Sequence, residues 1–335
     1  MDRISLLPDC LLIDIISRKQ AIRTGTLSKR WKHLWPQVSN IVFMKLRPLS
    51  YSILKESINE FFSSVEKTLD QCRQLNLNKF QLHTPYYNWF GSKINKWIRY
   101  VVKCNVRELD LSLEPMERKF EFHEFFFINS CFTQLILKGC ILDPCGTVCW
   151  NKLKSLSISR AKFDEDVIQN ILSGSPVLET LKFERCYGYN WIAITSKSVK
   201  NFVIAGYSTD HREKNLEINA PYIVSLTITD LCFRKLLLVD VSCLVKAHFD
   251  YRKVGYNDKT NRQEEEKMLK GFMLKLGNVK EFAIGIHCAW VRLLSYWQFV
   301  SLLVVLSIPF NTTFLATLLY DCLHGYLLEA KALYL

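Results

Sequence analysis

The apolar positions of this chain keep a beat. Six-residue runs of the form apolar-x-x-apolar-x-apolar appear as LNKFQL (77–82), VRELDL (106–111), FTQLIL (132–137), LKSLSI (153–158) and LETLKF (178–183). They continue as VKNFVI (199–204), IVSLTI (223–228), LVKAHF (244–249) and VKEFAI (279–284). Between the fourth positions, from Leu109 through Leu135, Leu156, Leu181, Phe202 and Leu226 to Ala247, the steps are 26, 21, 25, 21, 24 and 21 residues. Alternation inside each run predicts a short strand with one face inward.

Such a period lies in the range of leucine-rich repeats, about 20–29 residues. One strand cannot bury its own apolar face, so neighbouring repeats are expected to stack as a parallel sheet around a continuous core. The fold class is therefore α/β: a curved parallel sheet whose convex side is irregular or helical. Two return segments have helical stripes, Ile94, Trp97, Ile98, Val101 and Val102, then Val167, Ile168, Ile171 and Leu172, the latter ended by Gly174 and Pro176. A third stripe runs through Met268, Leu269, Phe272, Met273 and Leu276. Residues between the inward ones would face a ligand: Glu108, Asp110, Ile136, Ser157, Lys182, Val203, Thr227 and His248. Their mixed chemistry names no ligand, and simple exposure to water explains any one of them equally well.

Before the repeats the period is helical. Pro8 suits a first helical turn, where its missing N–H has no partner, and Asp9 complements the helix dipole. Leu7, Leu11 and Ile15, with Leu12 and Ile16 beside them, make one apolar face. A second helix is expected over Lys19–Thr24. Ser28 then caps a third, with Leu27, Trp31, Leu34 and Trp35 on its stripe and Lys29, Arg30 and Lys32 turned away. A segment of about 35 residues cannot bury this many large apolar groups within itself, so some must lie against the remainder of the chain or a partner. Pro36 ends the third helix. Ile41–Phe43 reads as a short strand, and Ile58, Phe61, Phe62, Val65 and Leu69 as a helix able to cap the end of the repeats.

Composition changes this picture little. The formal net charge is +12, but Lys and Arg are scattered and form no arginine-rich block, so a solvated basic surface is favoured and no nucleic acid is expected. Twelve cysteines are spread along the chain behind an N-terminus without a signal-peptide layout. This favours free, mostly buried thiols in a reducing compartment, cytoplasmic or nuclear. Cys140, Cys145 and Cys149 lack the second pair or nearby His of a zinc site. No phosphate loop, dinucleotide fingerprint, G-x-S-x-G or H-E-x-x-H occurs. His287-Cys288 and Asp210-His211 have no evident catalytic partners. No catalytic residue, metal or cofactor is expected, and the chain is read as a non-enzyme. After Ile286 the rhythm stops, and Leu293–Tyr320 carries no charge. Three readings fit that stretch: a membrane anchor, with the repeats on the cytosolic side; an apolar cap on the last repeat; or an aberrant end.

DRISLLPDCLLIDIIS, then AIRTGTLSKRWKHLW, resembles an F-box, and DEDVIQNILSGSPVLETLKFERC (164–186) resembles the repeats of the plant F-box/leucine-rich-repeat proteins. The resemblance covers roughly residues 2–285 and divides the chain into an F-box-like helical module (1–36), a connector strand and capping helix (37–75), a repeat solenoid (76–286) and an apolar tail (287–335). It implies a substrate-recruiting subunit of an SCF-type ubiquitin ligase, with Leu7, Pro8, Leu11, Leu12, Ile15, Ile16 and Trp31 forming or supporting the face for a Skp-type adaptor. Through that adaptor the chain would reach a cullin scaffold, and the repeats would hold an unknown protein target. In one respect the chain departs from the family: Ser17 runs straight into Arg18, Lys19 and Gln20 where a Phe-Leu-Pro-Thr-like turn is usual. About three residues are missing, which along a helix rotates the downstream residues by roughly 300°. The alternative is therefore a non-ligase repeat scaffold, or a degenerate member whose F-box no longer docks.

Overall fold

The computed structural model describes residues 39–45, 54–70, 77–206, 215–231, 235–251, 271, 275–276 and 279–284. The chain divides into two compact units, Met1–Phe163 with Asn170–Leu178, and Asp164–Gln169 with Glu179–Leu335. The N-terminal module, the segment after Ile284 and most of the third helical stripe lie outside the described residues.

In the first unit, β1 (Asn40–Met44), β2 (Lys79–Tyr86), β3 (Glu108–Pro115), β5 (Gln134–Lys138) and β7 (Ser155–Ser159) pair side by side, all parallel. A short pair, β4 (Phe120–Glu121) and β6 (Cys140–Ile141), is also parallel. Helices α1 (Leu54–Asp70), α2 (Gly91–Lys103) and α3 (Glu124–Phe127) fill return segments. In the second unit β8 (Thr180–Glu184), β10 (Asn201–Ala205), β12 (Ser225–Leu231), β14 (Lys246–Tyr251) and β15 (Glu281–Ile284) form a parallel sheet. The return strands β9 (Trp191–Ala193), β11 (Asn215–Asn219) and β13 (Lys235–Asp240) make another. Helix α4 (Glu165–Ser173) lies at the division. The expected convex side was irregular or helical; here five return segments pair as strands, β4 with β6 in the first unit and β9, β11 and β13 in the second.

The register follows from the repeat. Ile41, Phe80, Leu109, Leu135 and Leu156 form one buried row of the first unit, and Leu82, Leu111, Leu137 and Ile158 the next. In the second unit Leu181, Phe202, Leu226 and Ala247 do the same. Each run's first apolar residue lies just before its strand and is buried too, as at Leu77, Val106, Phe132, Leu153, Leu178, Val199, Ile223, Leu244 and Val279. Burying each such side chain contributes roughly 1.5–3 kcal/mol before the entropy of ordering it is counted.

The strand starts share one hydrogen-bond device. The carbonyl of Asn78 accepts the N–H groups of both Arg107 (3.2 Å) and Glu108 (2.8 Å), and that of Arg107 accepts Thr133 and Gln134. Lys200 accepts Val224 and Ser225; Val224 accepts Val245 and Lys246. One oxygen with two lone pairs thereby satisfies two backbone donors at each turn into the sheet.

The strand ends share another. Gly139, Arg160, Arg185, Gly206 and Asp230 all have positive φ, between 52° and 84°. They occupy the same place in successive repeats, four residues beyond the apolar positions that step by 21, 25, 21 and 24. The backbone N–H of Gly139 donates to Ser159 (3.0 Å), that of Arg185 to Ala205 (2.7 Å) and that of Gly206 to Thr229 (2.9 Å). At these three turns the left-handed residue keeps its bond to the next repeat while turning the chain out of the strand. Buried Cys140, Ala161 and Cys186 follow it, and the thiols of Cys140 and Cys186 donate to the carbonyls of Lys138 and Glu184 (both 3.6 Å).

Helix ends follow their local sequence. Asp164 caps α4 by accepting the Val167 N–H (3.0 Å), with Glu165 and Asp166 in the first turn. Helix α2 ends on left-handed Asn105: the Val106 N–H reaches the Val101 carbonyl and the Asn105 N–H that of Val102. Aromatic rings fill the first unit behind its sheet. Phe62 stacks on Phe90 (3.8 Å) and lies 4.9 Å from Trp97; Phe126 and Phe127 flank Trp150, whose indole N–H donates to the Phe126 carbonyl (3.1 Å).

Candidate functional site

The face of each sheet opposite its core is mostly polar and half-exposed to exposed, with aliphatic Ile136 and Val203 among its members. In the first unit Gln81, Asp110, Ile136 and Ser157 lie in register as one row. Three of the sequence-selected positions, Asp110, Ile136 and Ser157, are therefore brought together, whereas Glu108 sits one row away, in register with Lys79 and Gln134. In the second unit Lys182, Val203, Thr227 and His248 form a single row. His248 is exposed, and the other three are half-buried.

Charge on these faces is partly paired. Lys79 lies 3.8 Å from Glu108, and His83 Nε2 lies 2.9 Å from Asp110 Oδ1. Gln81 Nε2 is 3.0 Å from the same imidazole nitrogen. In the second unit Lys182 pairs with Glu184 at 3.1 Å, and Lys246 with Glu281 at 2.8 Å. Such half-exposed pairs contribute little energy and mainly set the pattern of charge. The six-residue alternation does not reach His83, because β2 continues past the sixth position of its run to Tyr86. Nor does it reach Arg185, which belongs to the turn.

The adaptor-facing residues Leu7, Pro8, Leu11, Leu12, Ile15, Ile16 and Trp31 lie outside the described residues, as do His211 and the His287-Cys288 pair. None of the seven described cysteines is in a disulfide; Cys104, Cys140 and Cys186 are buried, Cys131 and Cys149 half-buried, and Cys145 and Cys243 exposed. Among these seven the buried ones are those the repeat register or a helix end carries inward; the other five cysteines lie outside the described residues. Cys140 directs its thiol at a carbonyl of its own turn, and burial pushes its pKa far up. Hydrogen bonding to Glu124, and that carboxylate's charge, raise Cys145. Among the described residues no group of three His, Cys, Asp or Glu side chains is placed to hold a metal ion. No helix among them is long and apolar enough to cross a membrane; Leu293–Tyr320 lies beyond them.

Parallel strands in register, one per 21–26-residue step, with an apolar row inside and a polar row outside, define a leucine-rich-repeat protein. Residues 68–261 match the family model described as At1g61320/AtMIF1, LRR domain. F-box protein At5g03100 of Arabidopsis thaliana is 32% identical over 294 residues, covering 85% of this chain and 89% of that protein. F-box/LRR-repeat protein At5g02910 of the same plant is 30% identical, over 95% of this chain and 66% of its own length. F-box/LRR-repeat protein 25 is 28% identical, over 68% of this chain and 86% of its own. The chain belongs to the plant F-box/leucine-rich-repeat protein family. It spans nearly all of the first relative but less than two thirds of several others.

Proposed function

We propose that this chain recruits a protein target to an SCF-type ubiquitin ligase. Leu7, Pro8, Leu11, Leu12, Ile15, Ile16 and Trp31 form or support the face that docks on a Skp-type adaptor, which ties the chain to a cullin scaffold. The open rows of the repeats, with Glu108, Asp110, Ser157, Lys182, Thr227 and His248, take the target. The chain itself supplies no reacting group. Its contribution is proximity, a raised effective concentration of target at the transfer machinery. The observation that carries this reading is the pairing of an F-box-like N-terminus with in-register repeats, in a chain whose relatives are named for both. Co-purification of the full chain with a Skp-type adaptor tests it, with loss on Leu11→Asp or Trp31→Ala as the expected result. Failure of the wild-type chain to bind would count against it.

The missing turn after Ser17 favours a second reading, a repeat scaffold whose helical module no longer docks. Inserting Phe-Leu-Pro-Thr after Ser17 separates the two. Adaptor binding that appears only in the restored chain supports the scaffold reading.

A further inference from the structure

We infer that Arg185 is a pre-set anchor for an acidic side chain of the protein that this chain binds. The inference rests on the reading of the repeats as a protein-binding surface.

Arg185 stands at the left-handed turn of its repeat (φ 53°), a place that Gly139 and Gly206 fill in other repeats without strain and that Arg160 and Asp230 share with it. An L residue is disfavoured there, so arginine is a costly choice for the backbone. The next repeat makes room for it. A Cβ on Gly206 would stand 2.4 Å from Arg185 Cγ and 3.4 Å from its Nε, so the arginine stem lies across the glycine. The residue is exposed, and its guanidinium has no ion pair among the described residues.

The surroundings select the ligand. Glu184, next in sequence, is taken by Lys182 at 3.1 Å. The neighbouring strand presents Val203 and Ala205, uncharged and half-buried. Asp230 occupies the equivalent turn two strands along and is not within ion-pair distance. A planar fork with its stem already laid down suits one bidentate carboxylate and loses little freedom on binding it. Lys182, the cation on the same strand, is already paired with Glu184, which favours a single carboxylate over a phosphate dianion.

The test uses the full-length chain and fluorescein-labelled hexaglutamate, followed by anisotropy. Arg185→Gly should weaken binding about tenfold, the equivalent of one lost charge-assisted pair, while the melting temperature stays level or rises because the turn is relieved. Arg185→Lys should restore only part of the affinity. Lys152→Gln, which removes an exposed charge elsewhere, should change it less than about twofold. Wild-type affinity in Arg185→Gly overturns the inference, as does a loss of affinity that accompanies a lower melting temperature. Displacement of the peptide by inorganic phosphate but not by equimolar acetate overturns the choice of carboxylate. Tighter binding by Asp230→Asn would show Arg185 already engaged by Asp230 and overturns the free anchor. Adaptor co-purification is read separately, so its failure undoes the ligase reading and leaves this result standing.

Discussion

His83 and Asp110, on neighbouring strands, meet through Nε2 and Oδ1 at 2.9 Å, with the Gln81 amide nitrogen 3.0 Å from the same ring atom. Asp110 was selected as a ligand-facing position, yet part of its capacity is spent on this histidine. A double-mutant cycle of His83→Ala and Asp110→Ala should give a coupling of roughly 0.5–1.5 kcal/mol in urea unfolding, the range of a partly buried hydrogen bond. Additive effects would mean that the two side chains do not meet in solution.

Gly139 and Arg160 hold the same place in successive repeats and should answer substitution with opposite signs. A Cβ on Gly139 would lie 2.0 Å from the Leu113 carbonyl oxygen, at φ +76°. Gly139→Ala must move backbone and is expected to cost more than about 2 kcal/mol. Arg160→Gly relieves a left-handed arginine and should change stability between nothing and about +1 kcal/mol. Thermal unfolding of both variants beside the wild type checks the pair.

Trp150 is fully buried and holds the Phe126 carbonyl through its indole N–H. Trp150→Ala leaves a large cavity and an unanswered carbonyl, at about 3–5 kcal/mol. Trp150→Phe keeps part of the packing and should cost clearly less. Equal costs for the two would place the energy in the hydrogen bond instead of the packing.

Cys145 is exposed, but its thiol is held above the ordinary value by hydrogen bonding to Glu124 and by that carboxylate's charge. Less thiolate at a given pH means slower alkylation. Glu124→Gln removes the charge and should speed the reaction of Cys145 with iodoacetamide at pH 8, measured by peptide mass spectrometry. An unchanged rate would show that Glu124 does not control the thiol.

Burial holds the Tyr189 hydroxyl well above its usual value of 10.0, so the folded chain keeps this proton where the unfolded chain releases it. The associated stability is complete below pH 10 and falls as pH rises beyond it. Tyr189→Phe should flatten that alkaline loss. At neutral pH it should cost about 0.5–1.5 kcal/mol for the bond to the Cys186 carbonyl (3.3 Å). Unfolding followed from pH 8 to 11 reads both effects.

The sheet strands were legible because burial writes its period into the residues. All nine apolar runs coincide with strands β2, β3, β5, β7, β8, β10, β12, β14 and β15, and the stripes at Ile94–Val102 and Val167–Leu172 fall on α2 and α4. The strand at Ile41–Phe43 and the helix at Ile58–Leu69 are present as β1 and α1. Return strands β4, β6, β9, β11 and β13 were not foreseen. They are two to six residues long and irregularly spaced, and a sequence such as NLEIN states no partner until its neighbours are in place. The alternation found Asp110, Ser157 and Thr227 but not Arg185. A left-handed turn leaves a signature only where glycine fills it, and here arginine does.

The two amides gathered on one carbonyl at each strand start bear on how such a chain can change length. Within each unit, every seam between adjoining repeats closes with the same three atoms, whatever the side chains. Copy a repeat, or cut one out, at that seam, and the two ends meet a counterpart identical to the one they lost, so growth or shrinkage of the array leaves no stranded donor behind.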